Sequence, residues 1–218
     1  MSSALHLLVL AKSPEPGRVK TRLCPPLSPA EAAAVAAAAL ADTLEAVHGC
    51  GADRKILALD GRPGPWLPPG FEVIEQRGTG LAERLANAWV TAGGGGVQIG
   101  MDTPQIGAAT LDCLLGQIDG PGQPAVLGPA SDGGWWAIGW QRARPGPRAV
   151  FAGIPTSAPD TGARQQRRLL ALGFDVTLAR TERDIDTIDD LLTVAAHAPA
   201  TRTAGVAARL GALDRVAS

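Results

Sequence analysis

The sequence has few of the residues that build metal centres and disulfide frameworks. Its three cysteines are scattered and odd in number, it contains no C-x-x-C pair, and its three histidines form no ligand-spaced cluster. A structural zinc site is therefore not expected. Reduced thiols in a cytoplasmic protein are the simplest interpretation of so few, unpaired cysteines.

The sequence also lacks an excess of charge of one sign and lacks long apolar runs. Twenty Lys and Arg residues against 21 Asp and Glu residues give a formal net charge of -1. Binding to nucleic acid or to an anionic membrane needs a basic face, so we expect neither partner. No apolar run reaches the roughly 18 residues of a membrane span. The N-terminus has neither the basic segment nor the long apolar segment of a signal peptide.

What the sequence does contain is an alternation of strand-like and helix-like segments over 218 residues. This length suits one domain spanning residues 1–218, and the alternation predicts a mostly parallel sheet covered by helices. The predicted strands are residues 7–11, 55–59, 71–75, 97–100, 125–128, 135–140 and 174–178. The predicted helices are residues 28–48, 80–92, 108–118 and 163–172, one that starts at Asp186 or Thr187, and a short one in the tail, residues 200–218.

A basic segment follows the first predicted strand. It runs from Lys12 to Leu23 as K-S-P-E-P-G-R-V-K-T-R-L. It contains one acid, Glu15, and four basic residues: Lys12, Arg18, Lys20 and Arg22. Many α/β folds hold phosphate groups in such a loop at the carboxyl end of a strand, and arginine can grip phosphate oxygens with two donors. Gly17 would let the backbone approach the ligand closely. The alternative is a solvated surface loop, but the position after the first strand favours phosphate binding.

Two common phosphate motifs are excluded by missing glycines. The segment G-R-V-K-T at residues 17–21 has the lysine and threonine of a P-loop but lacks the glycine before the lysine. The segment G-T-G at residues 78–80 opens like a dinucleotide fingerprint, but Glu83 stands where the third glycine should be. ATPase and dehydrogenase functions therefore lose most of their support.

Asp102 lies directly after the predicted strand 97–100, in the segment G-M-D-T-P. A carboxylate at that edge, opposite a phosphate loop, is well placed to hold Mg²⁺ or Mn²⁺ on the same phosphates. The alternative is structural, in which Asp102 or Thr103 caps a helix or closes an Asx turn. The residues alone leave both interpretations open.

A second acid at the end of a predicted strand is Asp132, which is followed by Gly133, Gly134, Trp135 and Trp136. The Asp-Gly pair can be a plain turn, or the segment can bind substrate. Because neighbouring strand residues point to opposite faces, we predict that one indole belongs to the core and the other forms the floor of a sugar or acceptor pocket. Asp102 and Asp132 are thus the candidate catalytic residues, and the four residues after Asp132 are candidate substrate contacts.

An acidic cluster, R-D-I-D-T-I-D-D at residues 183–190, lies at a predicted strand-to-helix junction. Acids at a helix N-terminus stabilise the helix dipole, and by itself the cluster favours that structural interpretation. The functional alternative makes Asp184 or Asp186 a second metal or substrate contact. We take Asp186, together with Asp102, as the candidate metal ligands.

Four segments occur here in the order found in a known family. They are L-V-L-A-K-S-P-E-P-G-R-V-K-T-R-L at residues 8–23, G-M-D-T-P-Q at 100–105, G-P-A-S-D-G-G-W-W-A-I-G at 128–139 and D-I-D-T-I-D-D-L at 184–191, with F-A-G-I-P at 151–155 as a further match. The chain thereby resembles the bacterial DUF2064 group of GT-A-type proteins, which are similar to nucleotide-diphospho-sugar transferases. The resemblance covers nearly the whole chain, and four ordered segments are hard to obtain by chance.

The resemblance implies a three-layer α/β/α sandwich of the GT-A kind with a metal-dependent site for a nucleotide or nucleotide sugar. Matched by segment, Lys12, Lys20 and Arg22 fall in the phosphate loop, Asp102 falls at the metal position, and Asp132 falls on the acceptor side. The usual GT-A metal motif, D-x-D, is reduced here to Asp102-Thr103-Pro104. The number of protein carboxylates on a bound Mg²⁺ or Mn²⁺ is therefore open.

Three functions follow from these residues and the resemblance. The favoured one is glycosyl transfer from a nucleotide-diphosphate sugar to a small-molecule acceptor, in which the metal and the basic loop stabilise the leaving diphosphate. Asp132 would then be a general base or an acceptor clamp. The runner-up is nucleotidyl transfer with release of pyrophosphate, because K-T-R-L and a downstream acid resemble guanylyltransferases that build a deazaflavin coenzyme precursor. The third is nucleotide binding without turnover.

Overall fold

The computed structural model describes residues 4–141, 145–156 and 158–212. Its centre is a seven-stranded sheet. The strands are β1 (Leu5–Lys12), β2 (Arg54–Asp60), β3 (Glu72–Glu75), β4 (Gly95–Gly100), β5 (Pro124–Pro129), β6 (Trp135–Trp140) and β7 (Asp175–Leu178). They lie in the order β3-β2-β1-β4-β6-β5-β7. The apolar run of β1 is buried along nearly its whole length, as expected of a central strand with both faces covered.

The sheet is mostly parallel, as the alternation predicted. β1 runs parallel to both β2 and β4, and β7 runs parallel to β5. β6 is the exception, since it pairs antiparallel with β4 on one side and with β5 on the other. The parallel strands consequently end along one edge of the sheet, and the basic segment after β1 and Asp102 after β4 lie at that edge.

Helices cover both faces of the sheet. They are α1 (Pro29–Gly49), α2 (Leu81–Ala92), α3 (Ala108–Ile118), α4 (Pro147–Phe151), α5 (Thr161–Ala171), α6 (Ile188–His197) and α7 (Arg202–Arg209), with a short 3-10 helix at Thr21–Leu23. The apolar residues of α1 and α3 pack on one face, and those of α2, α4 and α5 pack on the other. The three-layer α/β/α sandwich is therefore confirmed, and no described helix is long and apolar enough to span a membrane.

Helix caps fix the ends of the segments that approach the site. α1 begins with the predicted capping box, in which Ser28 and Glu31 satisfy each other's backbone donors. α6 begins in the same way with Thr187 and Asp190, so Thr187 is the cap and Asp186 lies just outside the helix. A third apolar cluster packs α6 and α7 against the outer side of α1. This packing carries residues 182–186 across the sheet edge.

The differences from the predicted elements lie at their ends and in one short helix. β3 begins at Glu72 rather than Phe71, α5 begins at Thr161 rather than Ala163, and β7 begins at Asp175. α4 was not predicted, because five residues opened by a proline carry no helical periodicity. The tail contains α7, and residues 213–218 lie outside the described part of the chain.

Candidate functional site

Two adjoining cavities open at the carboxyl edge of the parallel strands. The basic cavity, of about 540 Å³, is lined by the charged side chains of Lys12, Arg18, Lys20, Arg22, Arg84, Asp102 and Asp186. The acidic cavity, of about 610 Å³, is lined by Arg22, Asp102, Asp132, Asp184 and Asp186 and by the aromatic rings of Trp135, Trp136 and Phe151. Arg22, Asp102 and Asp186 line both, so they lie at the junction.

Lys20 is the centre of this junction. Its side chain is only 7% exposed, and its Nζ lies 3.0 Å from Asp102 Oδ2 and 4.0 Å from Asp186 Oδ1. The same Nζ donates to the backbone carbonyl of Ile185. Lys20 adopts the left-handed conformation, with φ 48°, which is uncommon for a residue with a side chain and is often found at functional sites. One lysine thus joins the loop after β1, the end of β4 and the segment before α6.

Three further cations that line the basic cavity are paired with acids. Arg22 pairs with Asp186, Arg18 Nη1 lies 2.9 Å from Glu15 Oε2, and Arg84 Nη1 lies 2.7 Å from Asp60 Oδ2. The sequence analysis missed Arg84 and Asp60, because no local motif marks them.

Two predicted members of the phosphate loop have no such partner or contact. Lys12 is exposed and makes no ion pair with any described residue. Gly17 has a φ of 77°, which glycine adopts without steric cost. It is not among the described residues that line either cavity. Its place in the loop is therefore conformational, and Lys12 remains free to bind a ligand.

The carboxylate of Asp102 has one oxygen occupied and one unpartnered. Oδ2 pairs with Lys20, whereas Oδ1 is buried and has no hydrogen-bond partner among the described residues. The structural alternative of a cap gains no support, since α3 is capped by Gly107 and no backbone hydrogen bond to the Asp102 carboxylate is found in the described ranges. A buried, unpartnered carboxylate oxygen is costly unless a cation or donor satisfies it.

The residues at the junction fit a divalent metal that a bound nucleotide would help to hold. Magnesium commonly uses one or two protein carboxylates together with substrate phosphates and water. Asp102 and Asp186, the two predicted ligands, both approach Lys20 at this junction, and their role as metal ligands stays a prediction. Within residues 4–141, 145–156 and 158–212, no group of three or more His, Cys, Asp or Glu is arranged as a metal site. A cage made only by the protein is therefore not found there.

Asp132 forms the turn that its sequence suggested and also lines the acidic cavity. Its Oδ1 accepts a hydrogen bond of 2.8 Å from the backbone N–H of Gly134. Gly133 has a φ of 89°, and a Cβ at this position would lie 1.9 Å from the carbonyl oxygen of Pro159. Gly134 lines the acidic cavity, whereas Gly133 is not among its described lining residues. Gly133 thus packs the turn against the start of α5.

The two indoles after this turn face opposite sides, as strand alternation predicts. Trp136 is 4% exposed, and its Nε1 donates a hydrogen bond of 3.0 Å to the Arg180 carbonyl. Trp135 is partly exposed, and its ring centroid lies 6.2 Å from that of Phe151. Both residues line the acidic cavity, and of the two only Trp135 is partly exposed.

Asp184 was predicted only as an alternative to Asp186 for a second metal or substrate contact. Burial of its carboxyl, together with the charges of Asp132 and Asp102, raises the pKa of Asp184 to about 6. Backbone hydrogen bonds hold the segment in place, since Ser131 donates to Glu182 and Ile185 donates to Asp102, each at 2.9 Å. Asp132 and Asp184 come from distant parts of the sequence, so only the fold brings them together.

Comparisons with known proteins agree with this architecture. Residues 31–158, more than half of the chain, match the family described as "Uncharacterized protein conserved in bacteria (DUF2064)". A crystal structure from Desulfovibrio desulfuricans is similar at 26% identity, with a TM-score of 0.78, over 87% of this chain and 85% of that one. The Desulfovibrio protein is provisionally assigned as a nucleotide-diphospho-sugar transferase. No curated protein matches the chain.

More distant solved structures share the fold. Rv0371c from Mycobacterium tuberculosis, solved with manganese, is 22% identical with a TM-score of 0.52, over 89% of this chain and 98% of that one. The 2-C-methyl-D-erythritol 4-phosphate cytidylyltransferase from Thermus thermophilus is 16% identical with a TM-score of 0.54, over 90% of this chain and 100% of that one. A cytidylyltransferase and a protein provisionally assigned as a nucleotide-diphospho-sugar transferase thus share this architecture.

Proposed function

This chain belongs to the DUF2064 family, and from that premise we propose that it is a metal-dependent glycosyltransferase, with residues 1–218 acting as one domain. The observation that carries the proposal is the junction of the two cavities at Arg22, Asp102 and Asp186. A group transferase needs its donor and acceptor side by side, with charge stabilisation at the bond that breaks. This junction would supply both.

The basic cavity is the proposed donor site. Lys12, Lys20 and Arg22 would bind the diphosphate, and the base and ribose would lie toward Gln76 and Thr79, which line the same cavity. Charge-assisted hydrogen bonds from Lys and Arg to phosphate are stronger than neutral ones. The acids that now pair with Lys20 and Arg22 hold these cations in position before a nucleotide arrives.

The junction is the proposed metal site. Asp102 Oδ1 and Asp186 would hold Mg²⁺ or Mn²⁺ on the phosphates, and the bound ion would act as a Lewis acid on the leaving diphosphate. Lys20 would add a second positive charge at the same place. The 26% identical Desulfovibrio protein, provisionally assigned as a nucleotide-diphospho-sugar transferase, supports this choice of donor.

The acidic cavity is the proposed acceptor site. Trp135 would form one wall, as expected for an aromatic residue beside a sugar or small acceptor. Asp132, the predicted base or clamp, would contact the acceptor from the turn after β5.

Nucleotidyl transfer is the second candidate, and one observation favours it. The basic cavity contains five cations, from Lys12 through Arg84, which is enough to hold a triphosphate. In that reaction the acceptor would attack the α-phosphate, and pyrophosphate would leave.

The two reactions are separated by their products. The purified protein with Mg²⁺ or Mn²⁺ is screened by thermal shift against nucleotide sugars and the four nucleoside triphosphates, and each stabilising nucleotide is then incubated with candidate acceptors. Glycosyl transfer releases a nucleoside diphosphate, whereas nucleotidyl transfer releases pyrophosphate. Stabilisation by nucleotides without either product would support a binding protein. No stabilisation by any nucleotide would contradict the donor site itself.

A further inference from the structure

The charged residues of the acidic cavity are nearly all negative. Four carboxylates line it, from Asp102, Asp132, Asp184 and Asp186, against one cation, Arg22, in the described part of the chain. Arg22 is already paired with Asp186. Among the described residues that line it, the cavity therefore carries an excess of negative charge.

The junction accounts for only two of these acids. Asp102 pairs with Lys20, and Asp186 pairs with Arg22, and both would contact the metal. Asp132 and Asp184 make no ion pair with any described residue. Both line the acidic cavity. Two unpaired carboxylates that share one cavity are stabilised by a cation placed between them.

The aromatic wall of the cavity suits the same kind of ligand. Trp135 is partly exposed and lines the cavity, as does Phe151, whose ring centroid lies 6.2 Å from that of Trp135. An indole face attracts an ammonium group, most strongly when water is excluded. The cavity thus combines anionic oxygens with an aromatic face, which is how proteins recognise organic cations.

Two buried polar side chains in the cavity have atoms without partners. Thr103 is 2% exposed and Gln98 is fully buried, and both line the acidic cavity. Thr103 Oγ1 and Gln98 Nε2 have no hydrogen-bond partner among the described residues. A hydroxyl group would satisfy both kinds of atom, since it donates and accepts. Thr103 adjoins Asp102, so this polar end lies toward the junction.

We propose that the acceptor is a small amino alcohol or amino sugar. Its ammonium group would lie between Asp132 and Asp184 against the Trp135 indole, and its hydroxyl would lie near Thr103. That this ligand is the acceptor rests on the proposed function, whereas the cation site is inferred from the residues of the cavity alone. It assigns Asp132 the role of a clamp. An anionic acceptor would be repelled by the same carboxylates.

The test compares three probes of the same shape. Choline, its uncharged isostere 3,3-dimethylbutan-1-ol and the anion 3,3-dimethylbutanoate are titrated into the full-length protein with Mg²⁺, and binding is followed by calorimetry and by tryptophan fluorescence. We expect choline to bind about tenfold or more tightly than the alcohol, and the anion to bind most weakly. Equal affinity for choline and the alcohol overturns the proposal, and this comparison needs no variant.

Variants then locate the cation. Asp132→Asn keeps the oxygen that accepts from Gly134, and Asp184→Asn is nearly isosteric. Each is expected to weaken choline binding about tenfold without changing binding of the alcohol. Asp189→Asn is the matched control, because it removes the same charge from an exposed position in the first turn of α6. Choline binding that stays at the wild-type level in the Asp132 and Asp184 variants overturns the assignment.

Nucleotide binding is measured in the same samples. Stabilisation by nucleotides with no preference for choline contradicts only the cation site. A preference for choline without any nucleotide binding contradicts the proposed function and leaves the cation site supported.

Discussion

The basic and the acidic cavities meet at the same residues but manage charge in opposite ways. In the basic cavity Arg18, Lys20, Arg22 and Arg84 each pair with an acid, so their positions are fixed and their charges are partly neutralised. In the acidic cavity Asp132 and Asp184 make no ion pair with any described residue, and burial and the charge of Asp132 raise the pKa of Asp184. The first cavity is thus preorganised for an anion, and the second has an imbalance that a ligand would correct.

The largest effect should come from the basic cavity. Replacing Lys20 and Arg22 together with Ala removes two charge-assisted contacts to phosphate, each worth roughly 1.5–3 kcal/mol, so nucleotide binding should weaken by about 3–6 kcal/mol. Calorimetry with Mg²⁺ measures the loss. The control is Arg167→Ala with Arg209→Ala, two exposed arginines that line neither cavity. Unchanged nucleotide affinity in the Lys20 and Arg22 variant would contradict the assignment of the basic cavity as an anion-binding site.

The next largest effect should be a difference between the two indoles of the acidic cavity, in how far their replacement by Ala lowers the free energy of unfolding. Trp136→Ala opens a void in the core and removes the bond to the Arg180 carbonyl, and should destabilise the protein by about 3–5 kcal/mol. Trp135→Ala should cost less, on the order of 1–2 kcal/mol, because the ring is partly exposed. Urea unfolding gives both values. Equal destabilisation would show that both indoles are structural, and it would contradict the proposed role of Trp135 in ligand binding.

The junction itself is tested by Asp102→Asn. The substitution is nearly isosteric but removes the anionic partner of the mostly buried Lys20 Nζ, so some loss of stability without ligand is expected. Mg²⁺ and Mn²⁺ prefer anionic oxygens, so the metal response is compared with each protein's own stability without ligand. We expect the metal-dependent part of nucleotide stabilisation to fall by on the order of 2 kcal/mol. Melting curves with nucleotide, with and without metal, measure this, and Asp189→Asn serves as the control. The same metal response in wild type and variant would reject Asp102 as a ligand.

The smallest effect should appear as a pH dependence of stability. The folded-state pKa of Asp184 is about 6, above its ordinary value of 3.8. The folded protein therefore holds the extra proton between these values, and this contribution to stability is lost as pH rises from about 4 to about 6. With metal removed by a chelator, Asp184→Asn should be more stable than wild type above pH 6, on the order of 1–2 kcal/mol after allowing for solvent screening.

At pH 4 the two proteins should be equally stable, because Asp184 is then protonated in the folded state. Urea unfolding at both pH values makes the comparison. A difference between the proteins that does not change with pH would mean that the charge of Asp184 is not the cause, and the imbalance in the acidic cavity would be smaller than inferred.

Local sequence was enough to predict the elements whose signals are contiguous. The apolar run of β1, the capping box of Ser28 and Glu31, and the basic segment that follows β1 all depend on residues close together in the chain. The alternation of Trp135 and Trp136 is equally local. α4 escaped prediction because five residues are too few to show a period.

The remaining parts of the site depend on topology. Arg84 and Asp60 belong to α2 and β2, and no motif links them before the sheet forms. Asp184 reaches Asp132 only because packing of α6 and α7 on α1 carries residues 182–186 over the sheet edge. The sequence also did not predict why position 133 needs glycine, since the carbonyl oxygen that a side chain there would clash with belongs to Pro159.

The sequence by itself determined the α/β class, the mostly parallel sheet and the basic character of the loop after β1, because each follows from periodicity, caps or charge within one short segment. Only the tertiary structure decided which acids share a cavity, which oxygen of Asp102 has no hydrogen-bond partner among the described residues, and which indole is partly exposed. The physical reason is that charge interactions and burial depend on distance in space, and the fold alone sets that distance between residues far apart in the chain.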